Sequence, residues 1–183
     1  MTARRRVGII VGAICTATIL TGCGGSDSDP LVKPTSDATT SAAADPDGFT
    51  AEQRAIADRV TTYFTGVAAR GTSPVEPVIQ DLVTPELLAT IVAGEQKNVE
   101  GKGLQHLGEA TVDVDKVTIE GDTATVEGCY DGSQAYLVKK GEDTPGSGSQ
   151  VLGYSTMSIT MVRSGDNWLI SQPLLEPAEG CSS

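Results

Sequence analysis

The spacing of apolar positions changes period once along the chain, and that change divides the predicted elements. From Phe49 onward the apolar residues first recur at helical spacing. Ile56, Val60, Tyr63, Phe64 and Val67 share one helical face. Thr50 with Gln53 three residues later is a capping-box signature, and Gly71 stands where a C-terminal cap belongs. Together they predict a helix over 51–70. Ser73-Pro74-Val75-Glu76 opens a second helix with proline in its first turn; its apolar face is Val75, Val78, Ile79, Leu82 and Val83. Thr84-Pro85-Glu86 opens a third, buried through Leu87, Leu88, Ile91 and Val92. A glycine-containing loop over 101–108 follows. After Glu109 the period becomes two. Val112, Val114, Val117 and Ile119 sit among Thr, Asp and Lys, and Glu120-Gly121-Asp122 marks a tight turn. Return strands are predicted over 123–130 and 134–139, then a long loop over 141–150 and a long strand over 151–163. Ser164-Gly165-Asp166 turns into a last strand over 167–172, with Trp168 and Ile170 on one face. Helices followed by an antiparallel meander predict an α+β fold, with N-terminal helices packed on a curved antiparallel sheet.

Upstream of Phe49 the pattern is different. Arg4, Arg5 and Arg6 precede a 14-residue uncharged apolar run over 7–20, shorter than the roughly 20 residues a spanning helix needs. A basic start, a short apolar centre and small residues thereafter form a secretory signal. The string Leu20-Thr21-Gly22-Cys23 resembles a bacterial lipobox. That resemblance implies cleavage before Cys23 and attachment of a diacylglycerol to its thiol. The alternatives are a plain signal peptide or an N-terminal anchor that contains a cysteine. On the lipobox reading residues 1–22 are a lipoprotein signal peptide. The chain is then held on the extracytoplasmic face of the cell membrane by acyl chains, two or more of which give stable anchoring. Residues 23–48 are almost wholly Ser, Thr, Ala, Asp, Gly and Pro, with Leu31 and Val32 the large aliphatics. Such a stretch predicts a disordered tether, whose ends as a coil lie roughly 25–30 Å apart. Loss of the signal removes three of the 13 basic residues and no acid, which moves the net charge from −11 to −14. That acidity excludes a nucleic-acid partner, because carboxylates repel phosphate.

The remaining 49–183 region, with a long capped helix, two short helices and a curved meander, resembles the cystatin-like/NTF2-like fold. More narrowly, it resembles small lipoproteins of actinobacteria and their phages. In those a V-x-V-x-x-V-x-I-x-G-x-T-A-x-V hairpin precedes a cysteine, and a G-x-W-x-(V/I) strand leads to a second one. The matching pieces here are Val112 to Val126, Cys129, Gly165 to Ile170, and Cys181. The glycine-rich 141–150 loop departs from the pattern. These motifs are structural, so the resemblance speaks for fold rather than activity.

Four cysteines are present. Cys15 falls within the signal and Cys23 is the lipidation site. Cys129 and Cys181 are left as an even pair in an oxidising compartment, which predicts a disulfide. Two free thiols are the alternative. A metal pair is disfavoured, since the one histidine, His106, is distant in sequence and no CxxC occurs.

NTF2-like enzymes hold an Asp or His base in a cone between helix and sheet. Here His106 reads as part of a polar loop, GKGLQHLGE, off any periodic face. Asp113, Asp115, Glu120, Asp122 and Glu127 alternate with apolar neighbours and are expected to face water, as is Asp58 beside Arg59. No nucleophile elbow, P-loop, dinucleotide fingerprint or zinc motif is present. The expectation is therefore no catalytic residue, no metal and no cofactor. Tyr63, Phe64, Tyr154 and Trp168 read either as core or as the lining of a cone-shaped pocket, with the Tyr136 and Tyr154 phenols at its mouth. The function expected is that of a non-catalytic, membrane-anchored lipoprotein that engages an envelope protein partner or serves another envelope-associated role. A small-molecule or lipid binder using the cone is the alternative, and an isomerase or cyclase the third.

Overall fold

The computed structural model describes residues 48–181; the expected signal peptide, the lipidation site and all of the expected tether but Gly48 lie outside them. Three helices come first: α1 (Ala51–Ala69), α2 (Glu76–Ile79) and α3 (Pro85–Asn98). After a single 3-10 turn at Glu100–Lys102 come five strands, β1 (Leu104–Gly108), β2 (Thr111–Glu120), β3 (Thr123–Lys139), β4 (Gln150–Ser164) and β5 (Asn167–Ala178). They form one antiparallel sheet in the order β1-β3-β4-β5, with β2 also paired to β3. The α+β class and the helices-on-a-sheet arrangement are those the apolar pattern predicts.

α1 starts where its capping box places it. Gln53 N–H donates to Thr50 Oγ1 (3.3 Å), and Thr50 N–H donates to Gln53 Oε1 (2.9 Å), so two otherwise orphaned donors are satisfied reciprocally. Ile56 and Val60 of this helix are fully buried against the sheet, where Val126, Ile159, Met161 and Ile170 are equally inaccessible. The helix's entry is fixed at one corner by Glu52. Its Oε1 accepts from Arg163 Nη2 (2.7 Å) and from Trp168 Nε1 (3.2 Å), while the Arg163 guanidinium lies 4.4 Å over the Trp168 ring.

Five elements differ from the sequence expectation. Residues 104–108, expected in a loop, form β1 by pairing with β3. The second helix is only one turn long, because residues 82–84 leave it to run beside β5. There Ile170 N–H donates to Leu82 O, and Thr84 N–H donates to Ile170 O, both at 2.9 Å. α3 buries no residue completely: Leu87, Leu88, Ile91 and Val92 are half-buried against the core cluster. The strands expected over 123–130 and 134–139 are one long β3. It pairs with β2 through Asp131 and with β1 from Ala135, bridging an irregularity after Gly132. A Cβ on Gly132 would lie 2.6 Å from the Tyr130 ring and 2.9 Å from Gly153 O, so the bend needs glycine. Finally, β5 continues six residues past Gln172. Pro173 and Pro177 read as strand breakers, but β5 is an edge strand, where a missing N–H is tolerated.

Within β5 the register slips at Ser171: Ile170 faces Met161, yet Gln172 faces Thr160. This bulge moves the inward positions from even to odd numbers. Leu175, opposite buried Met157, therefore joins Trp168 and Ile170 on the helix side. Beyond β5, Cys181 is joined to Cys129 by a disulfide that spans 52 positions, with Cα atoms 5.6 Å apart.

Candidate functional site

Between the C-terminal half of α1 and the sheet lies an apolar cleft of about 270 Å³. Tyr63, Phe64, Val67 and Ala68 of α1 form one wall; Tyr130, Leu152, Ser155 and Leu175 form the other. The rings pack on one another. Tyr63 and Phe64 meet edge to face with centroids 4.9 Å apart, and Phe64 and Tyr130 are tilted at 5.4 Å. The lining carries no charged side chain. Leu175, 40% exposed, stands at the rim.

The structure thus brings Tyr63 and Phe64 together and leaves the other two aromatics elsewhere. Tyr154 precedes Ser155 on β4, and strand alternation turns it to the opposite face, between Asp131 and Ala178. Trp168 sits at the far corner with Glu52 and Arg163. Sequence reasoning missed Tyr130, Leu152 and Leu175. Tyr130 shares an inward strand parity with Ala124 and Val126 and could have been found from it; the other two depend on bulges.

Behind the cleft lies a buried polar cluster. Arg70, 2% exposed at its side chain, pairs with Glu95 of α3. His106 Nε2 lies 3.4 Å from the same carboxylate oxygen. The expectation that His106 belongs to an exposed polar loop is corrected here. It lies in β1, paired with Leu137, and is 5% exposed. Its acidic neighbour in space comes from α3, so nothing in its local sequence announces the burial. By contrast Asp113, Asp115, Glu120, Asp122 and Glu127 are exposed as expected.

Electrostatics in this cluster favour fixed charges. Burial pushes the Glu95 carboxyl upward. The adjacent His106 ring, the Arg70 charge and the Arg70 hydrogen bond outweigh it and hold Glu95 below its ordinary value. Burial, with a smaller push from the Glu95 charge, raises the Tyr63 phenol to about 12. Burial and then Asp131 raise Tyr130 as well. Both phenols at the cleft are therefore neutral at physiological pH. Among the described residues, no group of three or more His, Cys, Asp or Glu side chains is placed to hold a metal ion. Among the same residues, no helix is long and apolar enough to cross a membrane.

No family model and no curated protein matches the chain. Among solved structures, the intermembrane space region of the chloroplast protein ARC6 aligns with 69% of this chain and 97% of its own. The TM-score is 0.52 and the identity 16%. A de novo designed β-sheet protein aligns over 70% of this chain and 87% of its own at 16% identity, with a TM-score of 0.29. The ARC6 likeness supports a shared α+β fold and nothing finer.

Proposed function

We propose that this chain is a non-catalytic, lipid-anchored extracytoplasmic binding module, attached through Cys23, whose cleft takes a small neutral apolar ligand or one apolar segment of a lipid. The observation that carries the reading is the cleft itself: three packed aromatic rings and no lining charge. Binding sites are concave and mostly apolar with a few polar groups. Here the polar groups are two neutral phenols and the Ser155 hydroxyl, which donate or accept without selecting for an ion. A carboxylate or phosphate head would find no cation in the lining. The volume is just under the range typical of drug-sized ligands, about 300–1,000 Å³. The Glu95 carboxylate, paired and held ionised, is a weak base and does not line the cleft, which supports binding over proton transfer.

A second reading, an envelope protein partner, is favoured by Val151 and Leu174, 55% and 50% accessible, each next in sequence to a residue of the cleft lining. Titration with the neutral fluorophore N-phenyl-1-naphthylamine tests the first reading. A saturable signal that Leu175→Asp abolishes supports it; a signal unchanged by that substitution rejects it in favour of the second. The anchor is tested separately by fractionating cells that express Cys23→Ala. Release from the membrane is expected, and retention refutes the lipidation.

A further inference from the structure

The two half-cystines flank the cleft's sheet wall. Tyr130 directly follows Cys129 on β3, and Leu175 lies six positions before Cys181. The first half of β5 is held on both sides, by β4 and by the 82–84 segment bonded to Ile170. Its second half is held differently. It pairs with β4 alone, Pro173 and Pro177 have no N–H to offer a strand on the outer side, and Leu174 and Leu175 are 50% and 40% exposed. Little apolar burial and pairing on one side only mark a segment of low local stability. The covalent link from Cys181 returns this segment to the middle of the sheet.

We propose that the Cys129–Cys181 disulfide is a redox-operated clamp on the cleft: oxidised, it holds Leu175 in the wall; reduced, it releases residues 172–181 and the wall with them. Cys129 is buried, while Cys181 is half-buried and is the more accessible residue of the pair. The thiolate of a dithiol reductant attacks Cys181 Sγ, forms a mixed disulfide and expels the Cys129 thiolate, which takes up a proton. The second reductant thiol then displaces Cys181 as a thiol. Two electrons pass to the cystine, and the reductant leaves as its own disulfide. The remainder of the domain keeps its core of Ile56, Val60, Val126, Ile159 and Met161, none of which lies on the released segment. The effect on ligand binding rests on the reading of the cleft proposed above; the release of the strand does not.

The test uses the full chain at 25 °C, oxidised or treated with dithiothreitol, with two readouts. Amide exchange by mass spectrometry is expected to reach the rate of an unstructured peptide over 172–181, while α1 and Met157–Met161, weakened by loss of the cross-link, stay at least about 100-fold slower than that rate. The N-phenyl-1-naphthylamine signal that Leu175→Asp abolishes is expected to weaken at least tenfold in affinity, and reoxidation restores both. A Cys129→Ser/Cys181→Ser chain reproduces the reduced state without reagent. Unchanged exchange over 172–181 overturns the clamp, as does loss of protection across α1, which means general unfolding. A released strand with undiminished probe affinity also overturns it. A released strand in a chain that never bound the probe supports the clamp and refutes the binding reading, so the two failures are distinguishable.

Discussion

Replacing Glu95 with Gln isolates the buried pair behind the cleft. The substitution keeps shape and one accepting oxygen but deletes the charge. Arg70, 2% exposed at its side chain, then holds an uncompensated guanidinium, and His106 loses the carboxylate at 3.4 Å. Removing one partner of a buried ion pair costs about 3–5 kcal/mol. The lower end applies here, about 3 kcal/mol, because Glu95 is 17% exposed and the amide still accepts one hydrogen bond. With a urea slope of about 1.5–2 kcal/mol/M, the unfolding midpoint falls by about 1.5–2 M at pH 7 with the slope unchanged. The sign of the pH dependence follows from the lowered folded-state value of Glu95. A depressed carboxyl stabilises the fold fully above its unfolded value of about 4.3. That contribution is lost as pH falls through the folded value. The gap between wild type and E95Q is therefore wide at pH 7 and closes as pH falls below about 4. Urea titrations of both chains from pH 7 to pH 3 measure it. A gap under about 0.5 kcal/mol at pH 7, the usual range of a neutral surface change, or a gap independent of pH, refutes the assigned pairing.

Three further outcomes are expected. Cys181→Ser opens a 52-residue loop, for which chain entropy predicts a loss approaching 4 kcal/mol; calorimetry of oxidised wild type against the variant reads it. Gly132→Ala drives a Cβ into the Tyr130 ring and the Gly153 carbonyl, at about 1–3 kcal/mol as overpacking, and the Tyr130 resonances shift in an NMR spectrum. Thr50→Ala removes half of the capping box and costs about 1 kcal/mol, read as a lower urea midpoint, with amide exchange fastest in the first turn of α1.

What could be read from the sequence follows from which interactions are local. The start of α1 is written in Thr50 and Gln53, three positions apart, and the β2–β3 turn in Gly121, so both were legible. The Cys129–Cys181 bridge was legible because compartment and parity left no other pairing. His106 was not, since its burial depends on Glu95 and Arg70, contributed by elements that precede it, and the glycines around it erase any periodicity. The lining of the cleft was half legible. Tyr63 and Phe64 lie on a helix face that repeats reliably. On the strands a single bulge reverses parity: Ser171 puts Leu175 rather than Leu174 inside, and no pattern of residues marks that slip. Continuation of β5 through two prolines was hidden for a related reason. Whether proline breaks a strand depends on its being an edge, a property of the whole sheet.

The edges of this sheet also bear on how copies behave together. Lipid anchoring, as proposed, confines neighbouring chains to two dimensions, where encounters are frequent and unpaired strand edges invite zippering into aggregates. One edge is closed off by the 82–84 segment over the first half of β5 and by Pro173 and Pro177 over the second, leaving few free amides for a neighbour to pair with. On the other, β2 bulges at Asp115 and presents exposed Asp113, Asp115 and Lys116. In a crowded layer both features work against strand-to-strand pairing between neighbours.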